Sequence, residues 1–216
     1  MPLFFLASIL RATILAPRVT SPRPACQPIP RDLLTPLASK RTVDAGFDAW
    51  EKGGGAVSLL DPATGLFQYE AFLHLLLRET GRGTRYRDFF TLCLFKPDVA
   101  PADAEFEPAI EVALSTRVAE FIRSTDIVGR FPMGLGVLLL HTGPTEAIVV
   151  AERVRTAVRR VEFRRGPDLP PIQVTLSAGL VSFPRDGQTS TTLLTRAKRY
   201  LEQARQHGGD KVVHGS

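Results

Sequence analysis

The hydrophobic positions of the chain change their spacing several times after residue 58, which predicts a mixture of helices and strands. Residues 68–79 carry Phe72 and three leucines at helical spacing. A second amphipathic helix is predicted over residues 106–124, where apolar side chains recur every three or four positions. Further helices are predicted over residues 145–161 and 191–206.

Short apolar runs predict the strands. Residues 89–95, with the sequence FFTLCLF, have the length and aromatic content of a buried strand, and residues 172–183 form a second long strand. Strands at 127–131 and 137–140 flank the segment PMGLG, whose glycines we expect to permit a tight hairpin. Such a hairpin makes one strand pair antiparallel, so we predict an α+β fold with helices on both faces of one sheet.

The start of the chain has a different composition. Seven of the 17 prolines fall in the first 36 residues, without an apolar period, so we predict a disordered or proline-rich extension over residues 1–42 and one folded domain over residues 43–216. The apolar run at residues 3–10 is too short to span a bilayer, and Arg11 follows it rather than precedes it. We therefore expect no membrane span and a cytoplasmic location.

Charge, cysteine and histidine content indicate which classes of partner and ligand to expect. The net charge of +5 and the pI near 9.6 favour anionic partners. Cys26, Cys93 and the four histidines show no metal-ligand spacing, so we expect no metal site and no cofactor. The arginines of residues 155–165 lack interleaved aromatic residues, and a nucleic-acid polymer is not expected as a partner.

Three stretches carry a family resemblance that covers residues 58–214. The sequence DPATGLFQYEAF is similar to the D-x-L-T-G-L-x-N-R-x-x-F opening of the GGDEF (diguanylate cyclase) family. The segment that begins LSAGLVSFPRDG resembles the closing segment of that family, with Lys198 in place of an aspartate and Arg205 in place of a lysine. The resemblance implies a GGDEF or nucleotidyl-cyclase-like fold, with a mostly antiparallel five-stranded central sheet flanked by helices.

The third stretch, RSTDIVGRFPMGLGVLLL, aligns without a gap on the family's R-x-x-D-x-x-x-R-Y-G-G-D-E-F-x-x-L-L. Arg123, Asp126 and Arg130 match it. The signature itself is replaced at every position, which makes the domain degenerate by this alignment: Pro132, Met133, Gly134, Leu135 and Gly136. The GGD of residues 208–210 lies where the family has its closing G-x-N, so it is not the signature.

The resemblance implies a chemistry that this chain is expected to lack. Joining two GTP molecules requires carboxylates that hold two divalent ions. The alignment places Lys96 at the metal-binding aspartate of the first strand, Asp98 at the next acidic position and Leu135 at the hairpin carboxylate. We therefore predict no catalytic residues, no bound metal and no enzyme activity. One alternative remains open, in which Lys96 substitutes for the metal and GTP binds without turnover.

A binding function is also implied. The family's inhibitory site uses R-x-x-D and an arginine on the next helix to recognise cyclic di-GMP, and Arg123, Asp126 and Arg153 occupy these positions. We predict a cyclic di-GMP receptor in bacterial second-messenger signal transduction, with a protein partner or self-association as output. The alternatives are an exposed Arg–Asp ion pair within a domain that binds only proteins, or a GTP-binding regulator.

Overall fold

The computed structural model describes residues 59–62, 64–132, 134–163 and 171–215. The predicted extension at residues 1–42 lies outside this part of the chain. Four α-helices, one 3-10 helix and seven strands follow one another along the described residues. In chain order they are α1 Tyr69–Tyr86, β1 Phe90–Asp98, the 3-10 helix Pro101–Phe106, α2 Glu107–Phe121, β2 Ile127–Phe131, β3 Gly134–Leu140, α3 Pro144–Arg159, β4 Glu162–Phe163, β5 Ile172–Gln173, β6 Thr175–Phe183, α4 Ser190–Gln206 and β7 Val212–His214.

The central sheet has five strands in the order β2-β3-β1-β6-β7. All neighbouring pairs are antiparallel except β6 and β7, which are parallel. Strands β4 and β5 form a separate two-stranded ribbon. The predicted fold class, a mostly antiparallel five-stranded sheet flanked by helices, is confirmed.

Each face of the sheet buries its own hydrophobic cluster. Side chains of β1 alternate between the two clusters: Cys93 and Phe95 belong to one, and Leu92 and Leu94 belong to the other. The first cluster includes Leu114 and the apolar stripes of α2 and α3, and the second includes those of α1 and α4. Both faces of the sheet are therefore covered, which explains why β1 and β6 are almost continuously buried.

Helix α1 and strand β1 extend beyond the C-terminal ends that the sequence predicts. Helix α1 continues through Gly83 to Tyr86. A Cβ at position 83 would lie 2.5 Å from the Phe183 ring, so the glycine allows the helix to pack closely on that ring. Strand β1 continues through Pro97 to Asp98. Its pairing with β3 ends at Phe95, so the proline interrupts no ladder on that side.

The hairpin between β2 and β3 differs from the prediction. Phe131 pairs with Gly134, so β3 begins at Gly134, and Gly136 lies inside β3. Gly136 pairs with Gly129, and a Cβ at either position would come within 2.7 Å of Phe72. The expectation that both glycines serve the turn is wrong for Gly136, because its missing side chain makes room for the Phe72 ring.

Within the part of the chain that the structure describes, no helix combines the length and the apolar character needed to cross a bilayer.

Candidate functional site

Lys96 and Leu135 lie next to each other in the sheet, at the positions that the alignment assigns to metal-binding carboxylates. Lys96 follows Phe95, the register partner of Leu135. The Lys96 ammonium lies 3.4 Å from a carboxylate oxygen of Glu107 at the start of α2. Leu135 is 5% exposed and belongs to the core cluster beneath α2 and α3.

These two side chains do not suit a magnesium ion. Mg²⁺ prefers oxygen ligands in octahedral geometry, whereas an ammonium repels it and an aliphatic side chain offers no donor. Among the described residues, no group of three or more acidic, histidine or cysteine side chains is arranged to hold a metal ion. The residues at these positions therefore do not fit the ions that the family's reaction uses.

Asp98, the next acidic position, is held in a structural network. Its carboxylate accepts hydrogen bonds from the Ser177 hydroxyl at 2.8 Å, from the Thr175 hydroxyl at 3.0 Å and from the Asp210 backbone N–H at 2.9 Å. Asp210 in turn accepts from the Arg155 guanidinium at 2.6 Å, and this hydrogen bond raises the pKa of Arg155. Asp98 thus fastens the end of β1 to β6 and to the segment before β7.

Arg130 links two carboxylates beside the hairpin. Its guanidinium lies 3.3 Å from Asp61 and 3.6 Å from Glu111. The Thr64 hydroxyl donates to Asp61 at 2.6 Å and is the main reason that the pKa of Asp61 is lowered, with Arg130 acting in the same direction. Burial raises the pKa of Glu111, and Arg130 opposes that shift only in part.

A cavity of about 420 Å³ lies over this ion-pair network. It is lined by Asp61, Gln68, Tyr69, Glu70, Glu111, Arg130, Phe131 and Pro132. The lining combines three carboxylates with one arginine that is already paired to two of them. Sequence reasoning identified Asp61 and Arg130 as motif matches but did not identify Glu111, which has no counterpart in the quoted motifs.

Asp126, one of the predicted ligand-binding residues, bonds to the backbone on both carboxylate oxygens. One oxygen accepts from the Arg123 N–H and the other from the Leu140 N–H, each at 3.0 Å. The first bond closes the loop between α2 and β2, and the second ties that loop to the end of β3. Each oxygen keeps a further lone pair for a ligand, but the carboxylate has a structural role without one.

Arg153 lies on α3 beside the end of α2. Its guanidinium is 5.5 Å from the ring centroid of Phe121, two positions before Arg123. The end of α2 therefore lies beside the helix that carries Arg153, as the predicted site requires. The side chain of Arg123 is exposed, so its guanidinium is open to solvent beyond the helix end.

A cavity of about 500 Å³, which we call the α2–α3 pocket, lies at this junction. It is lined by Phe121, Ile148, Val149, Glu152, Arg153, Thr156, Ala157 and Arg160. Of the predicted residues, only Arg153 lines it; Arg123 and Asp126 do not. Sequence reasoning missed Arg160, although an arginine two helical turns after Arg153 points the same way.

The fold and the hairpin place the described residues among the nucleotidyl-cyclase-like α+β domains. The family model "Diguanylate cyclase, GGDEF domain" matches residues 112–211, which include α2, the hairpin, α3, β6 and α4. Residues 112–211 are therefore similar to a GGDEF domain.

Solved structures show the same architecture. The diguanylate cyclase SiaD from Pseudomonas aeruginosa, solved in complex with its activator SiaC, is 27% identical with a TM-score of 0.65 over 80% of this chain; the match spans 65% of SiaD, just under two thirds of its length. The GGDEF domain of FimX from the same organism is 22% identical, with a TM-score of 0.64 over 74% of this chain and all of that domain. The GGDEF domain of DgcB from Caulobacter crescentus, in complex with c-di-GMP, is 14% identical, with a TM-score of 0.66 over 74% of this chain and 97% of that domain.

Proposed function

We propose that this GGDEF domain does not synthesise cyclic di-GMP and that it serves as a receptor for that dinucleotide. The observation that carries the first part is the Lys96–Glu107 ion pair beside the buried Leu135. A lysine ammonium in this place neutralises the acid of α2 without any metal. Phosphoryl transfer then lacks the ions that stabilise the charge on the attacking and leaving oxygens.

The hairpin supports the same conclusion. Pro132 has no N–H to donate to a phosphate, and Gly134 packs so closely on β1 that a Cβ there would collide with the Phe95 carbonyl oxygen. Its φ of 132° is one that glycine adopts easily and other residues rarely do. The hairpin of this chain is thus held against β1 and offers a proline where a phosphate would approach.

The receptor role is supported by the α2–α3 pocket and by the arginines around it. Arg153 and Arg160 line a cavity of suitable size for part of a dinucleotide, and Arg123 is exposed nearby. A guanidinium can donate two hydrogen bonds to O6 and N7 of guanine, and another can pair with phosphate. The c-di-GMP complex of the DgcB GGDEF domain shows that a domain of this fold binds the dinucleotide.

Isothermal titration calorimetry tests both parts. We expect heat on addition of cyclic di-GMP to the wild type, little or none for Arg123→Ala and Arg153→Ala, and no effect of Arg117→Ala, an exposed arginine of α2 paired with Glu120. Incubation with GTP and Mg²⁺ is expected to give no cyclic product. Product formation would refute the loss of catalysis, and equal affinity of wild type and Arg123→Ala would refute the site.

A second candidate function is an interaction domain that binds no nucleotide. The bonding of Asp126 favours it, because both carboxylate oxygens already accept backbone hydrogens and the residue needs no ligand to explain it. The SiaD structure is a complex with a protein activator, so a GGDEF protein can engage a protein partner. Absence of heat from both cyclic di-GMP and GTP, with a folded protein, would select this candidate.

A further inference from the structure

Two large aromatic side chains are exposed where α1 leads into β1. Tyr86 is 61% exposed and Phe89 is 47% exposed, whereas Phe90, the next residue, is 2% exposed. Single exposed aromatic residues are ordinary in soluble proteins, but two within four positions bring a large apolar area to one place on the surface. The Phe89 ring also contacts the ring of His141 edge to face, at 6.2 Å between centroids.

Arginines surround these rings. The guanidinium of Arg85 lies 5.5 Å from the centroid of the Tyr86 ring. Arg82 binds the two nearby acids, with 2.7 Å to Glu79 and 3.3 Å to Asp88. In the described part of the chain, Arg85 and Arg87 have no acid within ion-pair distance, so their positive charge is uncompensated.

The backbone holds these residues in place. Arg87 and His141 are two of the three non-glycine residues in the described part of the chain with positive φ, at 58° and 48°, and they lie at the same end of the sheet. The His141 N–H donates to the Phe89 carbonyl at 3.0 Å, and Asp88 lies between Arg82 and His141. Left-handed backbone at non-glycine residues costs free energy and is retained where the surrounding structure enforces it.

We propose that this surface, which we call the aromatic–arginine surface, docks an acidic segment of a protein partner that carries aromatic side chains. It consists of Arg82, Arg85, Tyr86, Arg87, Phe89 and His141. It shares no residue with the α2–α3 pocket, and the inference does not rest on nucleotide binding.

Composition and charge select this occupant. Tyrosine and arginine are the residues most enriched at the energetic centres of protein interfaces, and lysine, which is depleted there, is absent from this surface. The uncompensated guanidinium groups favour an acidic partner, and the exposed rings favour one that also supplies apolar area. A second copy in two-fold symmetry would oppose the same positive charges and is disfavoured.

The test uses the full chain and a fluorescein-labelled synthetic peptide of glutamates with two tryptophans, followed by fluorescence anisotropy. We expect binding by the wild type, and a loss of about tenfold or more for Tyr86→Ala/Phe89→Ala and for Arg85→Glu/Arg87→Glu. All four side chains are exposed, so these variants are expected to melt at the wild-type temperature. Arg196→Glu/Arg205→Glu, at two exposed arginines of α4, is the charge-matched control and is expected to bind as the wild type does.

Three outcomes would overturn the proposal. The first is equal peptide affinity for the wild type and the Tyr86→Ala/Phe89→Ala variant at unchanged melting temperature, because charge alone would then explain the binding. The second is tighter wild-type binding to a single-stranded oligonucleotide or to anionic phospholipid vesicles than to the peptide. A peptide in which glycines replace the tryptophans should bind more weakly, and equal binding of that peptide would also refute the proposed occupant.

Discussion

At the scale of single residues, Phe72, the last residue of the DPATGLFQYEAF motif, packs against two glycines of the hairpin strands. Phe72 is fully buried, and the bare backbones of Gly129 and Gly136 cover its ring. Any side chain on these glycines would occupy the volume of the ring. The two glycines and the phenylalanine therefore form one packing unit, although they lie far apart in sequence.

Gly136→Ala is expected to lower the free energy of unfolding by about 1–3 kcal/mol, because its Cβ would lie 2.6 Å from Phe72 ring atoms and the core must shift. Gly81→Ala is the control, since a Cβ on that exposed helical residue meets no atom within 4 Å. There we expect a gain of about 0.5–1 kcal/mol from helix propensity. Urea denaturation measures both, and equal effects of the two variants would contradict the packing argument.

The buried carboxyl of Glu111 is expected to make the stability of the protein depend on pH. Burial raises the pKa of its carboxyl above the ordinary 4.5, so the folded protein holds this proton more tightly than the unfolded chain. The contribution of Glu111 to stability therefore falls as pH rises through the window just above 4.5. Arg130, Glu107 and Lys96 are the charged groups that act on it.

We expect Glu111→Gln to gain stability relative to the wild type as pH rises from about 4 to about 7, measured by denaturant titration across that range. The quantity to compare is the difference in the free energy of unfolding between the two proteins, because Asp61 and other carboxyls titrate in both. A difference that stays constant with pH would show that the Glu111 carboxyl is not perturbed.

At the scale of elements, Asp126 joins the α2–β2 loop to the end of β3. A carboxylate that accepts two backbone hydrogens holds its loop firmly, and its charge strengthens both bonds. The charge also reaches the core, where it adds to the burial that raises the pKa of the Cys93 thiol. The R-x-x-D motif thus has a structural function within the fold, whatever binds outside it.

Asp126→Ala is expected to lower the free energy of unfolding by about 2–3 kcal/mol, because two backbone N–H groups lose a charged acceptor. Asp126→Asn keeps one acceptor oxygen and should lose less. Ser124→Ala, an exposed change in the same loop, should have little effect. Thermal and chemical denaturation measure the stability of the three variants. If Asp126→Ala is as stable as the wild type, the structural role is refuted and ligand binding is the main role of this aspartate.

At the scale of the whole molecule, ion pairs and hydrogen bonds link the elements around the positions that the alignment assigns to metal ligands. Lys96 with Glu107 joins β1 to α2, and Arg130 joins β2 both to α2 and to the turn that contains Asp61. Asp98 joins β1 to β6 and to the segment before β7. Lys96 thus places an ammonium, paired with Glu107, at the position where the alignment expects a metal-binding carboxylate.

We therefore expect the melting temperature to be the same in excess EDTA and in millimolar Mg²⁺, measured by differential scanning calorimetry. An ion that binds only the folded state raises the melting temperature once its concentration exceeds its dissociation constant, and no such site is expected. A clear rise with Mg²⁺ that Lys96→Ala alters would contradict the replacement of the metal by Lys96.

The sequence alone predicted most of the elements and the family resemblance. Apolar spacing predicted α1 to α4 and the long strands, because helices and strands differ in period. The ungapped alignment through Arg123, Asp126 and Arg130 predicted the hairpin and the exchange of its signature. Residue identity suffices for these conclusions, since they depend on neighbours along the chain.

Only the tertiary structure decided which distant side chains meet. It showed that Glu107 pairs with Lys96, that Glu111 shares Arg130 with Asp61, and that Gly136 serves Phe72 rather than the turn. It also brought His141 to the exposed Phe89. Such contacts depend on strand register and on the faces that helices turn to the sheet, which no local pattern fixes.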